Sequence, residues 1–326
     1  MSGPIVVLIA VSLAFAWSMG AHYTGAVMGM PYSVHAIRLW PALGGIALLT
    51  VIGATLASHG VQQTVGLRII DPARIDARMA TIIVLGAFAL TTVYTYYKVP
   101  TSTIQILIFC VVGTGVAAGA PVHWATILRL AVTWVLAPPA ACALGYIATR
   151  LLDAVVPPEA GAVPDDPNQG LALIPSLLIL MGLAASFVLG ANDVSNAVGI
   201  WTAVHVGTAT VAGLAGGLAM GIGALTWGRR ILDRVAFDIV IMDRTMATAA
   251  QGVQAVVVFL AVTQGLFTSM NQALVGAMAG TGLARGRQTV KRSVLLGIFK
   301  GWAISPVTGF SLCFILDKLM AATIGS

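Results

Sequence analysis

Long apolar runs broken by short polar segments dominate the chain. Five fall near residues 4–28, 38–59, 79–97, 101–120 and 125–150, and five more near 173–198, 205–227, 246–265, 268–284 and 293–320. A helix needs about 20 apolar residues to cross the roughly 30 Å hydrocarbon core of a bilayer, and most of these runs are long enough. Lipid offers the backbone no hydrogen bonds, so each run must satisfy its own N–H and C=O groups, which predicts α-helices. The runs at 101–120 and 268–284 are short and glycine-rich, and they predict re-entrant segments. Composition agrees, since 58% of the residues are hydrophobic and only 9% charged, against about 25% charge in a soluble domain. The chain reads as an all-α, multi-pass integral membrane protein, expected in the plasma membrane. The first run, from Pro4 to Trp17, lacks the basic n-region of a signal peptide, and a related run recurs in mid-chain, so it is expected to be retained.

That recurrence extends over the whole sequence. Gly20-Ala21-His22-Tyr23-Thr24-Gly25-Ala26 aligns with Gly190-Ala191-Asn192-Asp193-Val194-Ser195-Asn196 at an offset of 170. Met79-Ala80-Thr81, Thr101-Ser102, Gln105 and Gly113-Thr114-Gly115 recur as Met246-Ala247-Thr248, Thr268-Ser269, Gln272 and Gly280-Thr281-Gly282 at an offset of 167. Trp134 and Pro138 recur as Trp302 and Pro306 at 168. Collinear matches at a near-constant offset predict a duplicated unit, with repeats at 1–153 and 171–326 joined by an acidic, Pro/Gly-rich linker at 154–170. An odd number of crossings, about five helical segments per half, would make the repeats inverted, with broken or re-entrant helices meeting at the midplane.

The formal charge of +6 does not point to nucleic acid, because the basic residues sit in short loops between spans, where they orient a membrane protein. With the N-terminus outside, the loops holding Arg229, Arg230, Arg234, Arg244, Arg285, Arg287, Lys291 and Arg292 face the cytoplasm. The Arg68, Arg74 and Arg78 segment then faces outward, against the rule. Cys110, Cys142 and Cys313 lie inside apolar runs with neither metal-site nor disulfide spacing, and read as core fillers.

Of the eleven acids, only Asp193 lies well inside an apolar run. An ionisable group at membrane depth is costly, which makes it a functional candidate. Asn192 and Asn196 flank it, and Asn196, three residues on, shares its helical face. Oxygen ligands without sulfur or imidazole suit a hard cation such as Na⁺ at Asp193 and Asn196. Gly190 would let the helix break there and expose backbone groups. The alternative is a structural carboxylate paired with Arg129 or Lys300, which also lie within spans. The second candidate is the recurring pair Thr101-Ser102-Thr103 and Thr268-Ser269-Met270-Asn271. Its hydroxyls and amides can donate to an anion, and each segment can present the positive end of a half-helix. The plainer reading is that such hydroxyls bond their own backbone.

At these residues the chain resembles the inorganic phosphate transporter family along nearly its whole length. The family carries a GANDxxNA motif and a Pro-Val-Ser-Thr-Thr-His/Gln motif in each half. Gly190 to Ala197, GANDVSNA, matches the first fully, and Gly282 to Gly286 resembles the family's second half. The resemblance implies a homodimeric symporter of phosphate, driven by Na⁺ or H⁺, with no other cofactor. It also implies that Asp193, Asn192 and Asn196 hold the coupling ion and shape the anion site, while Ser102, Thr103 and Ser269 contact the oxyanion. The first-half copy departs from the motif: His22, Tyr23 and Ala26 stand where the family has Asn, Asp and Asn. Its cation site is therefore expected to be absent. Ile104, Met270 and Asn271 replace threonines of the second motif. Sulfate permeases of this family show a similar loss of the first motif. Sulfate carries no proton to offer a carboxylate, whereas phosphate near neutral pH does, so losing one of two acids favours sulfate. Phosphate is the leading substrate and sulfate the alternative. His22 is a candidate proton relay, since imidazole titrates near neutral pH, although a packed, hydrogen-bonded histidine is the plainer reading.

Other classes fit less well. An intramembrane aspartyl protease needs two buried carboxylates, a metalloprotease needs His-Glu-x-x-His, and a serine enzyme needs a base beside Ser102 or Ser269; the sequence offers none of these, so no enzyme is expected. An ion channel guarded by Asp193 is a distant alternative.

Overall fold

The computed structural model describes residues 2–97, 101–155, 173–238, 242–286 and 292–324. Most of the linker, 156–170, lies outside the described residues, as do Arg287 and Lys291. The described residues form α1 (Gly3–His22), α2 (Thr24–Ser33), α3 (Leu39–Ala57), α4 (His59–Leu67), α5 (Ala77–Tyr96), α6 (Thr103–Ala117) and α7 (Trp124–Val155). They continue with α8 (Leu173–Val198), α9 (Ala209–Asp238), α10 (Arg244–Thr263), α11 (Met270–Ala284) and α12 (Arg292–Ile324).

Each of the ten apolar runs holds a helix. Eight helical stretches among the described residues are long and apolar enough to cross a membrane. The two glycine-rich runs form α6 and α11, each of 15 residues. At 1.5 Å per residue these rise about 22 Å, short of a bilayer core of roughly 30 Å.

The helix breaks fall differently in the two halves, and this bears on function. The first run breaks at Tyr23, where α1 ends and α2 begins. Its counterpart does not break at Gly190: α8 continues to Val198 and only then tightens into a 3-10 turn at Gly199–Thr202. Gly190 serves close packing instead. A Cβ built there would lie 2.0 Å from the Thr50 carbonyl oxygen, so only glycine lets α8 and α3 approach this closely. Gly20 on α1 does the same against the Met220 carbonyl of α9, where a Cβ would lie at 1.9 Å. Small residues at such crossings are how membrane helices gain packing contact when lipid offers no hydrophobic drive.

The helix neighbours also correspond. α1 packs on α9 and α3 on α8; α7 packs on α11 and α12 on α6. α1 lies beside α5 as α8 lies beside α10. Asp76 and Asp243 cap the starts of α5 and α10 alike, accepting from the Met79 and Met246 amides at 2.7 and 2.9 Å. His35 and His205 both take left-handed backbone, φ 57° and 55°, which few non-glycine residues adopt.

Candidate functional site

The site is built on one turn of α8. Asp193 is fully buried there, with 0% exposure. Its two oxygens accept from different side chains, Oδ2 from Asn192 Nδ2 at 2.9 Å and Oδ1 from Asn196 Nδ2 at 3.2 Å. The Tyr23 hydroxyl also interacts with this carboxylate. Moving a carboxylate out of water costs several kcal/mol. Each hydrogen bond to a charged group contributes about 1.5–3 kcal/mol, so neutral donors of this kind can hold the charge. No cation lies within 4 Å of Asp193 among the described residues, which overturns the pairing with Arg129 or Lys300.

The two amides that grip Asp193 also grip the starts of the two short helices. Asn192 donates to the Thr268 carbonyl at 2.9 Å and accepts from the Thr268 N–H at 3.3 Å, just ahead of α11. Asn196 Nδ2 lies 3.4 Å from Thr103 Oγ1, the first residue of α6. Thr103 Oγ1 in turn lies 2.8 Å from the Tyr23 hydroxyl. Asn192 and Asn196 are one helical turn apart on α8, so the N-terminal ends of α6 and α11 reach the same face on either side of Asp193.

Ser102 and Ser269 are the N-caps of these helices. Each Oγ accepts from the amide three residues on, Gln105 and Gln272 respectively, at 3.4 Å. This is the backbone-bonding role, and it uses the hydroxyl oxygen while leaving the hydroxyl proton free to donate. Thr101 and Asn271 are half-buried and make no hydrogen bond to the cluster among the described residues. His22 ends α1 with its ring edge-on to Tyr23, centroids 5.1 Å apart. Its Nδ1 is buried without a hydrogen-bond partner, and no hydrogen bond links it to Asp193. The structure thus brings Asp193, Asn192, Asn196, Thr103 and Thr268 together, places Ser102 and Ser269 at the edge, and leaves His22, Thr101 and Asn271 outside the hydrogen-bonded cluster.

Tyr23, Gln251 and Gln254 are the participants that sequence reasoning passed over. The repeat alignment had already set Tyr23 opposite Asp193, and the break in the first span brings the phenol back to it. Gln251 and Gln254 of α10 are fully buried and bonded to one another. Gln251 donates to the Ala26 carbonyl and Gln254 to the Met270 carbonyl, each at 3.2 Å, tying α2 to the start of α11. Two carboxamides three apart inside an apolar run were the available signal.

Two short helices whose N-terminal ends meet beside a buried carboxylate, inside a bundle of apolar spans, define a polytopic membrane protein with a polar site at its core. Comparison with known proteins places it further: the Phosphate transporter family matches over residues 19–177 and 158–313, and the chain belongs to that family. Across 97% of this chain and 96% of the relative, it is 25% identical to the "putative phosphate permease" of Pyrococcus furiosus. It is 28% identical to the sulfate permease CysP of Bacillus subtilis, over 95% of this chain and 86% of that one. A solved structure described as the sodium-dependent phosphate transporter superposes with a TM-score of 0.88 at 20% identity, covering 98% of this chain and 100% of that one. That likeness fixes the fold.

Proposed function

We propose that the chain is a secondary active symporter of a tetrahedral inorganic oxyanion, phosphate by family, coupled to Na⁺ or H⁺ across the plasma membrane. The observation that carries this reading is the meeting of the α6 and α11 N-termini beside Asp193. Helix N-termini offer free N–H groups and a partial positive charge to an anion. A buried carboxylate among oxygen ligands offers a place for the cation that must travel with it. Two buried oxygens beside Asp193, Asn196 Oδ1 and Thr268 Oγ1, have no hydrogen-bond partner. Gln105 Oε1 and Gln272 Oε1, in the first turns of the short helices, have none either. Orphaned acceptors of this kind are uncommon inside proteins, and the Asn196 amide oxygen beside the Asp193 carboxylate suits Na⁺.

The exchange of equivalent neighbours between α1, α3, α6, α7 and α8, α9, α11, α12 supports two inverted repeats that rock about this junction. The matched caps and glycine contacts support the same division at 1–153 and 171–326. We infer a homodimer on the family resemblance alone.

A second reading, sulfate, is favoured by Tyr23. A neutral phenol faces Asp193 from the position where the family carries a second carboxylate. A phenol can donate to a fully ionised oxyanion that a second carboxylate would repel. Uptake of radiolabelled phosphate and sulfate into proteoliposomes, under imposed Na⁺ or H⁺ gradients, tests both readings. Gradient-driven, saturable uptake of either anion is the expected result, and competition between them names the substrate. Conductive flux that ignores every imposed cation gradient would overturn the symporter and favour a channel.

A further inference from the structure

Arg68, in the segment that the N-terminus-outside reading turns outward, lines a cleft separate from the Asp193 site. The cleft holds about 560 Å³ and lies between α4, α7 and the turn that joins α10 to α11. Its polar lining is Arg68, Arg129, Thr64, Thr126, Thr133 and Gln264, with no acid among them. Both arginines are exposed. Arg68 Nη2 donates to Gln63 Oε1 at 3.3 Å. No carboxylate lies within 4 Å of either guanidinium among the described residues. Arg129 belongs to a stretch long and apolar enough to cross a membrane, five residues after the exposed Trp124. An arginine there without a counter-charge is costly unless an anion or the interface satisfies it.

The cleft also connects mechanically to the inner site. Thr64 Oγ1 donates to the Gly265 carbonyl at 2.5 Å, and Trp134 Nε1 to the Phe267 carbonyl at 3.0 Å. These bonds clamp the turn whose next residue, Thr268, is held by Asn192. We propose that Arg68 and Arg129 form an outward-facing subsite for a phosphate-type oxyanion, either the free anion on its way in or the headgroup of a bound phospholipid. Guanidinium groups suit this ligand because their forked N–H pairs match two oxygens of a tetrahedral anion. The free-anion arm rests on the carrier reading above; the headgroup arm does not.

The test uses purified full-length Asp193→Asn protein, with and without Arg68→Gln plus Arg129→Gln, so that the inner site is the same in both and any difference between them comes from the arginines. Binding of ³⁵S-sulfate and ³²P-phosphate is measured by scintillation proximity, and co-purifying phospholipid by mass spectrometry. A free-anion subsite predicts weak, salt-sensitive anion binding in Asp193→Asn protein that drops about tenfold in the triple variant. A headgroup subsite predicts that anionic phospholipid is lost from the triple variant while anion binding is unchanged. Arg129→Lys should retain part of either signal, since it keeps the charge without the fork. If neither anion binding nor bound phospholipid responds, with the variant monodisperse on size exclusion, the subsite is wrong. Normal transport by Asp193→Asn would overturn the inner-site reading while leaving this result standing.

Discussion

The side chains that hydrogen-bond Asp193 each have a second task. Asn192 joins it to the α11 start and Asn196 joins it to the α6 start, so the ionisation state and occupancy of one carboxylate bear on the position of both short helices. Removing either amide leaves a buried carboxylate oxygen without its donor, a loss of about 1–3 kcal/mol. Asn196→Leu and Asn192→Leu should therefore impair uptake and also lower thermal stability in detergent; unchanged values for both would show that the amides are bystanders. Tyr23 acts from the other side. Tyr23→Phe removes the donor and keeps the ring, so it should weaken sulfate uptake more than phosphate uptake, measured as the ratio of the two rates. Tyr23→Asp restores the family residue and should move that ratio toward phosphate. A ratio indifferent to both changes would remove Tyr23 from substrate selection.

The helix segments were readable from the chain because lipid imposes one rule on every span, and the apolar runs obey it. The shortness of α6 and α11 was readable for the same reason. The use of Gly190 was not: glycine in a span can hinge or can admit a neighbour, and the neighbour, Thr50 of α3, is distant in sequence. Gly190→Ala should overpack that crossing by about 1–3 kcal/mol, lowering the melting temperature of purified protein; no change would mean the helices can part without cost. The motif pointed to Asp193, Asn192 and Asn196 as a set, because an acid between two carboxamides has few other uses in lipid. It could not say which backbone each amide would hold. Ser102→Ala and Ser269→Ala each remove an N-cap, at about 1 kcal/mol, and should raise the KM for the anion. Threonine at either position should restore it. A second element-scale contact is ionic: Arg285, at the end of α11, bridges Asp153 of α7 and Asp243 before α10. The Asp153 carboxylate first, and then Asp243, hold this guanidinium firmly protonated against the cost of its partial burial.

Across the whole molecule, apolar side chains face outward along the spans. On α9, Leu214, Leu218 and Ile222 recur every four residues with exposures of 42–54%, a stripe that lipid would cover. The distribution of basic residues predicts which way the bundle sits. With the N-terminus outside, a cysteine placed at exposed Arg74 should react with a membrane-impermeant maleimide in intact cells, and one at exposed Arg230 only after permeabilisation. Cys110 and Cys313 are buried and will stay silent, so a Cys142→Ser background suffices. The reverse labelling pattern would invert the proposed topology.

All these scales meet at one carboxylate, and the most direct measurement compares wild type with Asp193→Asn in proteoliposomes. Phosphate and sulfate uptake are followed under a Na⁺ or H⁺ gradient, with size exclusion and thermal melting as controls for folding. The account predicts saturable, gradient-driven uptake by the wild type and its loss in a variant that remains monodisperse. Uptake at the wild-type rate and with the same ion dependence in Asp193→Asn would contradict it.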